Sequence, residues 1–174
     1  PNYAEAHNNL GNVLNELDRT QEAIDSFNKA ININPDYVEA HYSLGTALFD
    51  LGEFKNAIKA YQKAVKINPV FAEAYNNLGN AYLELDKHND SVECYQKAIK
   101  INPNYSEAYN NLGNTFKELG KHKDSVECYQ KALEINPDYP ALHNNLGNAY
   151  KELGKLEDAL SSYSKGLSIN SGYV

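Results

Sequence analysis

The feature that most constrains this chain is a spacing of 34. Prolines stand at Pro1, Pro35, Pro69, Pro103 and Pro137, each 34 residues after the last. Leu-Gly pairs keep the same step (Leu10-Gly11, Leu44-Gly45, Leu78-Gly79, Leu112-Gly113, Leu146-Gly147), as do Phe27, Tyr61, Tyr95, Tyr129 and Tyr163. Small residues follow suit at Ala30, Ala64, Ala98, Ala132 and Gly166. A sequence that repeats a short unit specifies a repeated supersecondary element and not one large core. Five units result, 1–34, 35–68, 69–102, 103–136 and 137–170, with 171–174 left as the stub of a following repeat or capping helix.

Each unit reads as two helices. In the first, His7, Leu10, Leu14 and Leu17 recur at steps of three and four and form an apolar stripe. A break follows at Asp18, Gly52, Asp86, Gly120 or Gly154, residue types that tolerate the left-handed conformation ending a helix. The second helix buries Ala23, Ile24, Phe27, Ala30 and Ile31, and it stops before Asn34-Pro35, because the residue preceding proline is pushed out of the helical region. Gly11 and Ala23 imply a close approach of the two helices.

This wording, Leu-Gly in the first helix, Ala-x-x-x-aromatic-x-x-Ala in the second and a closing Pro, resembles the tetratricopeptide repeat (TPR) family over residues 1–170. The resemblance implies an all-α solenoid of five helix-turn-helix repeats, a right-handed superhelix with the first helices lining its concave side. The early aromatic of the first helix is His7, His41 and His143 in three copies, and the small residue opening the second is Ser91 and Ser125 in two. The fifth copy, with Gly166, departs furthest.

A solenoid explains the composition. Mean hydropathy is only −0.63 over 174 residues, as expected of thin cores stacked in a row. The net charge of −7 argues against a nucleic-acid surface, which needs clustered Lys and Arg. No apolar run is long enough for a membrane span. The chain holds no Met and opens at Pro1, as expected of a piece of a longer chain or of a processed or designed product.

Candidate binding residues lie on the first helices. Asn9 and Asn12 recur as Asn77 and Asn80, Asn111 and Asn114, and Asn145 and Asn148. Asparagine is about 0.5 kcal/mol worse than alanine in a helix, so something must offset it. On one reading these amides clamp the backbone of an extended or helical peptide. On the other they bond between neighbouring helices and set the pitch. The second copy interrupts the ladder with Tyr42, Ser43, Thr46 and Phe49, and Phe49 with Leu83 reads either as an anchor for a partner side chain or as an ordinary surface pair. Acids border the stripe: Glu5, Glu39, Glu73 and Glu107 on one edge, Glu16, Asp50, Glu84, Glu118 and Glu152 on the other. A neutral or basic protein partner is expected, and an acidic one is disfavoured.

TPR proteins that hold acidic chaperone tails do so with Lys and Arg; where that clamp would put a basic residue, this chain has Glu73 or Glu107, and Asn77 or Asn111. The Asn-Leu-Gly-Asn steps are more similar to the TPR superhelix of O-linked N-acetylglucosamine transferases. That resemblance implies a substrate-recruiting arm whose catalytic domain is absent here. A third reading is a self-associating structural or designed array, packed end to end through Leu156 and Leu160.

Nothing in the sequence points to catalysis, a cofactor or a metal. Cys94 and Cys128 are repeat copies on neighbouring helices, too far apart for a disulfide, and two thiols fit an intracellular, cytoplasmic protein. His7, His41 and His143 copy one packing position, while His88 and His122 copy one turn position. Repeat-equivalent side chains cannot converge on one ion. His122, Asp124 and Ser125 crowd one turn and recur as His88, Asp90 and Ser91, which marks them as repeat wording. The expectation is a non-catalytic protein-interaction scaffold.

Overall fold

A computed structural model of the chain describes residues 3–171. Pro1 and most of the stub at 171–174 lie outside the described residues. The helices alternate as the period requires. The first helices of successive repeats are α1 (Ala4–Glu16), α3 (Val38–Asp50), α5 (Ala72–Leu83), α7 (Ser106–Glu118) and α9 (Pro140–Glu152). The second helices are α2 (Thr20–Ile33), α4 (Phe54–Ile67), α6 (His88–Ile101), α8 (His122–Ile135) and α10 (Leu156–Ser171). No strand occurs among the described residues, and the fold is all-α.

The breaks between helices fall where the sequence put them. Gly52 sits at φ +76°, and Asp18 takes the same left-handed conformation at +59° without glycine's freedom. The turn after α3 is closed by Gly52 N–H to the Phe49 carbonyl and Glu53 N–H to the Leu48 carbonyl, both 2.8 Å. The Asn-Pro junctions have their own chemistry. Asn34, Asn68 and Asn102 each accept a backbone N–H two residues on, at 3.1–3.2 Å, so the side chain shapes the turn that proline rigidifies.

Within a repeat, the two helices meet ring against glycine. A Cβ added to Gly45 would stand 2.6 Å from the Tyr61 ring, and Tyr61 is fully buried there together with Ala57 and Ala64. Phe27 over Gly11 and Tyr129 over Gly113 repeat the contact. His41 and His143 are buried and each places Nε2 2.9 Å from the carbonyl of a junction proline, Pro35 or Pro137, so this histidine position staples the unit's entry to its first helix.

The chain forms two compact units, one ending at Lys87 and the other beginning at His88. In the first unit α1 touches α3 and α3 touches α5, whereas among the described residues α2 does not reach α4. In the second unit α7 touches α9, and among the described residues α8 does not reach α10. Each unit therefore has its first helices gathered on an inner side and its second helices spread on the outer side.

One expectation needs correction. Leu10 and Leu17 belong to the repeated apolar stripe, yet in α1 they are 51% and 61% exposed, while Leu112 and Leu146, the copies of Leu10, are buried. Those leucines are covered by the repeat before them, and residues 3–171 contain no repeat ahead of α1. At the other end Leu156, Leu160 and Leu167 of α10 are exposed, in line with an uncovered last face.

Candidate functional site

On a helix, positions separated by four, seven and eleven residues share one face. Glu5, Asn9, Asn12 and Glu16 have this spacing on α1 and are all exposed. The first helices of the first unit present Glu5, Glu16, Glu39, Asp50 and Glu73, and no Lys or Arg occurs in α1, α3 or α5. In the second unit Lys117 and Lys151 stand beside Glu118 and Glu152.

Much of the asparagine ladder is engaged within the protein. Asn77 donates Nδ2–H to the Tyr42 hydroxyl at 3.0 Å, and Asn145 donates to Asn110 Oδ1 at 3.0 Å. These are the same bond 68 residues apart, from one first helix to the first helix before it. Asn111, half-buried, accepts a long contact of 3.5 Å from Asn110. A second set faces the core: Tyr129 donates to Asn114 Oδ1 at 2.7 Å and Tyr163 to Asn148 Oδ1 at 2.8 Å. In the second repeat Tyr61 makes the equivalent bond to Thr46 at 3.2 Å. Burial pushes the Tyr129 phenol up to about 12, so it remains a donor at any physiological pH.

The remaining sequence candidates divide. Asn80 and Leu83 are half-buried on α5, and Glu84, which caps that helix, is exposed. Phe49 is half-buried and turns edge-on to Phe54, with ring centres 5.3 Å apart, so its ring packs within its own repeat. Glu118 Oε2 lies 3.3 Å from His88 Nε2. Asn9 and Asn12 are exposed on α1.

The family model described as TPR repeat matches residues 11–52, 45–86, 79–120 and 113–154, and that described as tetratricopeptide repeat matches 140–173. The chain belongs to the TPR family. None of the curated proteins matches the sequence. Among solved structures, a MamA crystal structure is 27% identical with a TM-score of 0.89, covering 97% of this chain and 92% of that one. MamA 41-end from Desulfovibrio magneticus RS-1 is 20% identical with a TM-score of 0.89, covering 97% and 96%. YrrB, described as a TPR protein with an unusual peptide-binding site, is 21% identical with a TM-score of 0.80, covering 97% and 87%.

The TPR geometry leaves a pocket that the ladder reading missed. Between α1 and α3, on the inner side of the first unit, Asn12, Asn15, Glu16, Phe27, Tyr42, Ser43 and Thr46 line a hollow of about 310 Å³. The signal was present in the sequence as one letter: the aromatic of the second helix is Phe only at 27 and Tyr in the other four copies.

The chemistry-bearing residues elsewhere are structural. Cys94 and Cys128 are free and buried, and burial pushes both thiols up to about 12. Ser91 and Ser125 are fully buried, and Ser91 donates to the His88 carbonyl at 2.9 Å. Among the described residues, no group of three or more His, Cys, Asp or Glu could hold a metal ion. No helix of the described residues is long and apolar enough to cross a membrane.

Proposed function

We propose that this TPR chain is a non-catalytic interaction module that takes a neutral or basic peptide segment, extended or helical, along the inner face of its first helices. The observation that carries this reading is the acidic face of α1, α3 and α5, which holds five carboxylates and no Lys or Arg, with asparagines on α1 and α5. Amides satisfy a main chain whatever its sequence, and a field of one sign selects partners by charge. Membership of a family of interaction modules supports it, as does the likeness to YrrB, whose own description names a peptide-binding site.

Charge reversal on that face tests the reading. Glu39→Lys and Glu73→Lys, both at exposed positions, should together weaken binding of a basic peptide at least tenfold. Asp25→Lys, an exposed change of the same sign on α2, should leave it within twofold. Peptides obtained by screening a randomised octapeptide library on the whole chain serve as probes. Equal effects of the two kinds of variant would mean that the face does not recognise the ligand.

A second reading rests on the exposed leucines. Leu160 and Leu167 of α10 correspond to Val126 and Leu133 of α8, and Val126 packs with Leu142 and Leu146 of α9. Leu10, Val13 and Leu17 of α1 are the counterparts of the α9 surface. The α10 face of one copy therefore matches the α1 face of another, a head-to-tail contact that extends without closing. Sedimentation velocity over a hundredfold concentration range tests it. Association lost in Leu160→Glu supports the contact, and a monomer throughout removes it.

A further inference from the structure

We infer that the pocket between α1 and α3 is a subsite for a long cationic side chain, lysine or arginine, of the bound segment. This deepens the groove reading and rests on it.

At this pocket the core aromatic lacks a hydroxyl. In three other repeats the core tyrosine donates to the polar residue of its first helix: Tyr61 to Thr46, Tyr129 to Asn114 and Tyr163 to Asn148. Phe27 cannot donate, and Asn12, unlike half-buried Asn114 and Asn148, is exposed at the pocket's edge. Half-buried Asn15 also lines the pocket. Glu16, exposed at the last position of α1, supplies the charge.

These groups ask for a ligand with donors only and a positive charge. Lysine presents three donors and arginine five, and neither offers an acceptor. The walls suit the rest of such a side chain. The half-buried Tyr42 ring gives apolar surface for a methylene stem, and its aromatic face favours a cation. Tyr42 is held in place by Phe71, with ring centres 4.8 Å apart, and by the bond it accepts from Asn77. A volume of about 310 Å³ admits one side chain of this length and not a folded segment.

The test uses the whole chain and the same randomised octapeptide library. Selected peptides should share Lys or Arg at one fixed position. A selected peptide, resynthesised with norleucine or Glu at that position, should bind at least tenfold more weakly. Glu16→Gln should remove the preference. Phe27→Tyr should also remove it, because its hydroxyl would reach Asn12 as Tyr129 reaches Asn114, and the repeat geometry already accommodates tyrosine at this place. Either variant should lower affinity for the Lys or Arg peptide more than for its norleucine counterpart. Selected peptides with no basic position, or a preference indifferent to Glu16→Gln and Phe27→Tyr, would overturn the subsite while leaving the groove. No selected peptide, or selected peptides indifferent to Glu39→Lys and Glu73→Lys, would overturn the groove and the subsite together.

Discussion

The bond from Asn145 to Asn110 can be weighed by a double-mutant cycle, and its size decides what these asparagines are for. At 3.0 Å between half-buried amides it should contribute about 1 kcal/mol net. Each Asn→Ala change also gains about 0.5 kcal/mol of helix propensity. Asn145→Ala alone therefore loses the bond and regains half of it, a net cost of about 0.5 kcal/mol, and Asn110→Ala behaves alike. The double variant loses the same bond once but gains propensity twice, so it should be about as stable as the parent. The coupling is then about 1 kcal/mol, or about 2–4 °C in thermal midpoint for a chain of this size. Urea and thermal unfolding followed by far-UV circular dichroism give all four corners. Costs that simply add, with a coupling below about 0.3 kcal/mol, would refute the account. The donor of Asn145 would then be free for a ligand and not committed to the register between first helices.

Three further outcomes follow from the packing. Gly113→Ala sets a new Cβ 2.7 Å from the fully buried Tyr129 ring, so crowding of about 2–3 kcal/mol should outweigh about 1 kcal/mol of helix propensity; an unchanged urea midpoint would contradict it. Cys94 and Cys128 should react with a thiol reagent at pH 8 only as fast as the protein opens, and full labelling within the mixing time would refute their burial. Because the fold raises both thiols from about 9 to about 12, it favours their neutral form, and that stability is complete below about pH 9 and lost as pH rises toward 12. The loss at pH 10 is about 1.4 kcal/mol per cysteine, and Cys94→Ala with Cys128→Ala should flatten it, as measured by urea midpoints between pH 8 and 10.

The architecture was legible because it is local. A helix is announced by residues three and four apart, and its end by the glycine or aspartate that turns left-handed; Asp18, Gly52, Asp86, Gly120 and Gly154 all have positive φ. The close approach at Gly11 was legible too: a glycine 16 residues ahead of an aromatic recurs in the sequence, and at Gly11, Gly45, Gly113 and Gly147 the ring lies against it. The candidate site was legible only as a face. The sequence placed Asn77 and Asn145 on the inner side, but whether an amide meets a ligand or a neighbouring helix depends on the rotation between repeats.

What the sequence determined by itself, then, is the unit: its length, its two helices and its turns. These depend on contacts within about 34 residues, and the fivefold repetition states them five times. Only the tertiary structure decided which amides are already paired, that Leu10 and Leu17 are bare while Leu112 and Leu146 are covered, and that a hollow opens beside Asn12. Those features come from stacking one unit on the next. The hollow is bounded by Asn12, Asn15 and Glu16 of α1 and exists only because α3 closes its other side with Tyr42, Ser43 and Thr46.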